Sequence, residues 1–243
     1  MTETTAPLTA PGPASLPARL IGVIFSPRAT YASVAAFPRW FGVLAFVTLV
    51  GAAGVYTLMS TEVGRQAALD QQVKTMEGFG MKIDDAAYER LENGMKYAPY
   101  TGAVGQLVVL SIVAALLAGI LLGVFNALLG GDANYRQVLA IVTHSGVIIS
   151  LAQLFGLPLA YVRETLSSAT NLAVFTPFLD ENSFLARFLG SIDLFQIWWV
   201  VSLSIGLGVL YKRRTGPIAT TILIVYAAIA LVIAAIRTAY SGA

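Results

Sequence analysis

YAPYTGAVGQLVVLSIVAALLAGILLGVFNALLGGDANYRQVLAIVTHSGVIISLAQLFGLPLAYV, residues 97–162, decides how this chain is built. From Tyr97 to Gly131 it carries no formal charge, and after the short polar turn Gly130–Arg136 a second uncharged run reaches Val162. Each run exceeds the roughly 20 residues that cross a hydrocarbon core of about 30 Å, so the stretch reads as a membrane hairpin whose turn is too short to hold a domain. Its first helix carries Ser111, Ala115, Gly119, Gly123 and Ala127 at strict four-residue spacing. Such a stripe predicts that another helix packs against it at backbone contact. The second helix carries Thr143, His144, Ser145, Ser150 and Gln153, groups that in lipid need partners inside the bundle. Together these patterns predict that the hairpin is the core and the other helices its coat.

Composition points the same way. The chain is 57% hydrophobic and 12% charged, half the charged share of about 25% found in soluble domains. It is an integral membrane protein of all-α class. A net charge of +2, placed in small clusters beside spans, gives no basic face for nucleic acid. With no cysteine and one histidine, the sequence excludes disulfides, thiolate catalysis and Cys- or His-rich metal sites. It holds no Ser/His/Asp arrangement, no phosphate-cradling glycine loop with lysine and no paired intramembrane carboxylates. No catalytic role and no cofactor are expected.

In chain order, residues 1–17 hold four prolines and little that can pack, which predicts a disordered tail ahead of a membrane domain over 18–236. No basic start followed by an apolar stretch occurs there, so the tail is not read as a secretory leader. Residues 20–37 are amphipathic around Ser26-Pro27 and predict an interfacial helix leading into the first span. Spans are expected at about 40–60, 102–129, 138–162, 193–211 and 217–236. Residues 61–97 contain seven acids and five bases in a helical rhythm around Gly78-Phe79-Gly80, with Asp84 placed to cap the second helix. They read as a helical hairpin outside the membrane. Phe184, Leu185, Phe188 and Leu189 form an apolar stripe that Gly190 terminates, which predicts a short re-entrant or interfacial helix.

Orientation follows from the bases beside spans. One side collects Arg19, Arg28, Arg39, Arg136, Lys212, Arg213 and Arg214, and the other holds eight bases, five of them within the acid-rich segment 61–97. The density of Lys212-Arg213-Arg214 in one very short loop predicts a cytoplasmic N-terminus.

Few residues can carry chemistry. His144 reads as a structural hydrogen-bonding group, with a proton relay as the functional alternative. Asn126, Ser145 and Gln153 read as ties between helices. Asp193, in the first turn of the fourth span, complements the helix dipole. Arg136 and Lys212–Arg214 read as bases that set topology, with a grip on anionic lipid headgroups or a partner as the functional alternative.

The five expected spans, the amphipathic N-terminal region and three sets of residues resemble the Yip1 family, its bacterial members above all. The sets are Leu20–Pro38 with Ser26-Pro27 and Phe37-Pro38, then Gly130-Gly131 followed by Tyr135-Arg136-Gln137-Val138-Leu139, then Asp193–Trp198 leading to Gly206-Leu207. The resemblance implies a five-helix protein of a bacterial inner membrane, without catalysis. In eukaryotic relatives it implies vesicle transport, with small GTPases and other membrane proteins as partners. Two function classes follow. The first is a non-enzymatic organiser that binds lipid, other membrane proteins or its own copies. The second is a small-solute transporter, which would need broken helices or buried ions along a pathway.

Overall fold

Hydroxyls and prolines set the first helices. Ser15 caps α1 (Leu16–Phe25) by accepting the Ala18 N–H, and α2 (Pro27–Ala36) begins on a proline whose missing N–H has no helical acceptor to lose. The computed structural model describes residues 14–180 and 183–241, so most of the expected tail lies outside the described residues; helix begins at Leu16, ahead of the expected boundary at residue 18. α3 (Phe41–Met59) is followed by α4 (Glu62–Glu77) and α5 (Asp85–Gly94), two charged helices joined by a short hinge. Asp84 caps α5 by accepting the Ala87 N–H at 2.7 Å, and Gly80 takes a left-handed φ of 78° in the hinge. A 3-10 turn, Met95–Tyr97, carries α5 directly into α6 (Ala98–Leu122), so the hairpin's second arm continues into a span. A π turn, Gly123–Leu128, closes α6.

α7 (Tyr135–Ser145) starts on a capping box made by Asn134 and Gln137, and α8 (Val147–Val162) resumes after a break at Gly146. A short 3-10 turn at Leu172–Phe175 precedes α9 (Phe184–Gly190), α10 (Leu194–Leu210) and α11 (Thr215–Ser241). No strand occurs among the described residues; one isolated bridge pairs Asn171 with Asp193. Four stretches, 41–59, 85–128, 135–162 and 215–239, are long and apolar enough to cross a membrane. The remaining expected span, α10, has 17 residues, about 26 Å at 1.5 Å per residue and at the short limit for crossing. α11 is longer at 27 residues, and α9 packs on its surplus length: Arg187 donates to the Arg237 carbonyl. The apolar stripe of α9 points outward through Phe184 and Leu185, while Ala186 faces in.

Contacts between distant segments define two ends. At one, Arg237 sits 5.6 Å from the Phe79 ring centroid, joining the α4–α5 hinge to α11. At the other, Arg213 donates to the Leu129 carbonyl at 2.6 Å and Gln137 to the Ala35 carbonyl at 3.1 Å. These place the α10–α11 turn, the α6–α7 turn and α2 together.

The core differs from the expected one. α7 is the hub: every residue from Val138 to Ser145 is buried. Around it lie Val23 of α1, Tyr31 and Val34 of α2, and Leu203 and Leu207 of α10, so the N-terminal pair is wedged into the bundle rather than laid on its surface. α6 belongs to the coat, with 11% of its most apolar window buried against 61% for the α7–α8 stretch. Its packed face is Ala114, Ala118, Leu121 and Phe125. The stripe Ser111, Ala115, Gly119, Gly123, Ala127 is not a helix-packing seam within this chain: Gly119, Gly123 and Ala127 are exposed, and a Cβ at either glycine would meet nothing within 4 Å. Ser111 donates back to Leu107, and the Ala115 carbonyl accepts the Tyr135 hydroxyl at 3.0 Å. The pattern misled because Ala114 and Ala118 repeat the same spacing one face away.

Close approach is required at Gly206, where a Cβ would lie 2.5 Å from Ile141 Cγ2 and 3.0 Å from the Tyr31 ring. Gly206→Ala should therefore lower stability by about 1–3 kcal/mol through overpacking, whereas Gly119→Ala should leave it unchanged or raise it by up to about 1 kcal/mol through helix propensity. Thermal unfolding in detergent compares them; an equal loss at Gly119 would place the stripe inside the bundle.

Candidate functional site

The sequence places one arginine inside the apolar run of α1, and the fold carries it into the protein. Arg19 is only 7% exposed, and its Nη1 donates to the Arg39 carbonyl at 2.8 Å and reaches His144 Nε2 at 3.3 Å. His144 is fully buried, and its Nδ1 lies 2.6 Å from the Ala140 carbonyl of its own helix. Because a carbonyl only accepts, Nδ1 carries the ring proton and Nε2 is left to accept from the guanidinium. No carboxylate partners Arg19 among the described residues, and its Nε has no hydrogen-bond partner there. Burial, and then the neighbouring Arg39 charge, push the Arg19 pKa down. Beside this centre the Tyr31 and Ser202 hydroxyls share a 2.7 Å hydrogen bond that pins α2 to α10.

The buried hydroxyls of α7 turn back on the helix itself. Thr143 donates to Ala140 at 3.1 Å and Ser145 to Val142 at 2.8 Å. Asn126 works at the end of the bundle, donating to the Ala133 carbonyl at 2.7 Å and accepting from the Tyr211 hydroxyl at 3.0 Å. Tyr211 also stacks on Phe125 with centroids 4.6 Å apart, and a Cβ at Gly131 would collide with its ring. The Gly130-Gly131 pair therefore has two duties, since Gly130 takes the left-handed φ of 67° that ends the helix and Gly131 admits Tyr211.

Two cavities flank this interior. Near the far end, one of about 310 Å³ has Gln153 on its α8 wall and Asp193 at its rim. Asp193 accepts from Ser168 and Thr170 through one oxygen and from the Phe195 and Gln196 amides through the other, so it caps α10 and ties down the preceding loop. Gln153 Oε1 is buried without a hydrogen-bond partner among the described residues. At the opposite end an open cleft of about 570 Å³ gathers Arg28 with Lys212, Arg213 and Arg214. Arg136 is exposed and does not line it.

The sequence-derived residues thus separate into three places. Asn126 braces one end, His144 and Ser145 close the centre, and Gln153 belongs to a cavity at the other end. Arg19 and Arg28 were missed as participants. Arg19 had one legible signal, as the only charge between Leu16 and Phe25; Arg28 had none, because its convergence with 212–214 is purely tertiary. Both His144 nitrogens are engaged, one by a cation, which suits a structural joint better than a proton carrier.

The family model described as the Yip1 domain matches residues 21–236. The chain belongs to the Yip1 family. That family acts in membrane trafficking and organisation and is not known for catalysis. The match takes in the second half of α1 and all of α2, so the Arg19–His144 joint connects a residue just outside it to one within. No curated protein and no solved structure matches the chain.

If Arg19 and His144 solvate one another, Arg19→Met and His144→Phe should each cost about 1–3 kcal/mol by leaving a buried group unpaired. The double variant should cost less than the sum, with a coupling of about 0.5–3 kcal/mol in a double-mutant cycle followed by thermal unfolding. Strict additivity would show that the contact contributes nothing.

Proposed function

We propose that this Yip1 domain protein is a non-enzymatic organiser of membrane components, which holds lipid and other membrane proteins against its outer surface and conducts no solute. The carrying observation is that the polar groups a pathway would use are not aligned. His144 and Ser145 are fully buried in contacts of their own, while Asn126 and Gln153 sit toward opposite ends. A solute crossing hydrocarbon must exchange water for protein ligands along a continuous route. The outer surface supports the same reading: α6 and α11 present long apolar faces, including Ile112, Leu116 and Ile120 on one and Ile224, Ile229 and Val232 on the other.

The three bases packed into the short α10–α11 turn support a cytoplasmic N-terminus, and the family resemblance a bacterial inner membrane. That turn lies at the end that also bears Arg28 and Arg136. A reporter active only across the membrane should work when fused at Gly80 and fail after Arg136 or Arg214. The reverse pattern would invert the orientation.

Function itself is tested in vesicles of purified protein. The expected outcome is no solute- or proton-driven flux, together with loss of a co-purifying membrane partner on deletion of Glu77–Met95 while the spans still insert. Flux that disappears in Gln153→Leu or His144→Phe would make the protein a transporter.

A further inference from the structure

We propose that the cleft between α2 and the α10–α11 turn is a binding site for a phosphate group, of the kind carried by anionic phospholipid headgroups. The inference goes beyond the organising role and does not require a protein partner. Its lining contains Arg28, Lys212, Arg213, Arg214, Thr215 and Gly216, and its volume of about 570 Å³ falls in the range of roughly 300–1,000 Å³ typical of small-ligand sites. No acid among the described residues lines it; Asp132, on the neighbouring α6–α7 turn, is exposed and outside it.

The turn is built to hold its bases in place. The Arg213 N–H donates to the Gly208 carbonyl at 2.8 Å, folding the chain back over the end of α10, and a Cβ at Gly208 would lie 3.0 Å from the Arg213 carbonyl. Lys212 takes a left-handed φ of 51° at the bend, where glycine or asparagine is the usual choice. Arg213 is spent on the Leu129 carbonyl and acts as an anchor. The side chains of Arg28, Lys212 and Arg214 have neither a hydrogen-bond nor an ion-pair partner among the described residues, so three unneutralised cations share one opening.

The fourth side of the cleft is the start of α11. A helix of 27 residues places the equivalent of about half a positive charge at its N-terminus, with first-turn N–H groups that lack helical acceptors. At Gly216 an added Cβ would meet nothing within 4 Å, so this backbone faces open space. Three like charges and a helix N-terminus repel one another unless an anion sits among them, and a phosphate supplies both charge and several acceptor oxygens.

Topology alone does not account for the arrangement. The preference for bases beside cytoplasmic span ends asks only that they lie in the loop, as Arg136 does. It does not ask that Arg28, from a segment almost two hundred residues away, converge on the same opening. Since the turn joins two membrane helices, its level is that of the lipid phosphates. A phosphate held there also bridges α2 to α10 and α11, so its binding adds a brace to the wedged N-terminal pair.

The test uses the full chain in a neutral maltoside detergent, with thermal unfolding and native mass spectrometry as readouts. Short-chain phosphatidylglycerol and phosphatidic acid should raise the midpoint and remain bound as discrete adducts, and phosphatidylcholine should do neither. Each neutralised base, in Arg28→Gln, Lys212→Gln or Arg214→Gln, should weaken binding about fivefold, from about 1 kcal/mol per base near an anionic surface. Arg136→Gln should leave it unchanged. Inorganic phosphate forms a separate arm: stabilisation equal to that by lipid assigns the site to free phosphate, and stabilisation by lipid alone assigns it to headgroups, both being phosphate recognition at this cleft. Absence of any shift overturns the proposal. So does a shift that the three substitutions leave intact, or one that Arg136→Gln lowers equally. The mild Gln variants and the mass-spectrometric adduct count keep the test decisive should charge reversal prevent folding.

Discussion

An arginine taken out of water with no carboxylate beside it among the described residues must be solvated by the protein, and the interior of this chain is arranged around that need at Arg19. The guanidinium obtains a carbonyl from Arg39 and an imidazole nitrogen from His144, in contacts of 2.8 and 3.3 Å. Each partner fixes something else. The Arg39 carbonyl lies at the entrance of α3, so α1 is tied to the start of the first long span. His144 can accept only because the Ala140 carbonyl holds its proton on the other nitrogen, which commits the middle of α7 to face α1. A neutral acceptor is a weaker partner than a carboxylate, yet it avoids burying a second ion, whose desolvation typically offsets the Coulombic gain. The arrangement explains why α7 is buried from Val138 to Ser145 while more hydrophobic helices are not.

Position in the bundle therefore does not follow hydrophobicity. α6 is the most apolar stretch of the chain and lies in the coat; α7 contains threonine, histidine and serine and forms the hub. In water the reverse is usual. In hydrocarbon, lipid satisfies an apolar helix as well as another helix does, whereas a polar group must find a partner in the protein. The short α10 obeys the same logic from a different cause. Its 17 residues leave α11 with unmatched length, and α9 covers part of it with Ala186 inward and two large apolar side chains outward.

These rules decide what could be read from the sequence. The long uncharged runs, the acidic hairpin with its Asp84 cap and the Gly130-Gly131 turn were legible because each depends on neighbours in the chain. The inward face of α6 was not, since small residues repeat every four positions on two adjacent faces and the repeat carries no sign of which meets protein. The break at Gly146 was hidden inside an uncharged run. His144 was legible as a group needing a partner, but Arg19 lies 125 residues earlier and announces itself only as a lone charge in an apolar segment. The basic triplet was visible; the cleft was not, because it needs α2 folded against α10 to bring Arg28 across.

Arg19 and Arg28 differ by nine positions in sequence and meet opposite fates, and the contrast separates a cation solvated by the protein from one left open to the surroundings. Arg19 is buried, with its nearest acceptors already supplied by the protein, so an incoming anion would have to displace both and enter a closed interior. Arg28 is exposed at the mouth of an open cleft, beside other bases and a helix N-terminus, with nothing from the described chain to neutralise it. Electrostatic self-repulsion at the second site is a cost that folding incurs without return in the unliganded protein, whereas at the first the single charge is absorbed locally. A membrane protein whose bases served topology alone would gain by spreading them along its loops. Under the proposed phosphate site, concentrating them where an N-terminal helix meets the start of the last span would make the fold's cohesion at that end responsive to the anions of the surrounding leaflet.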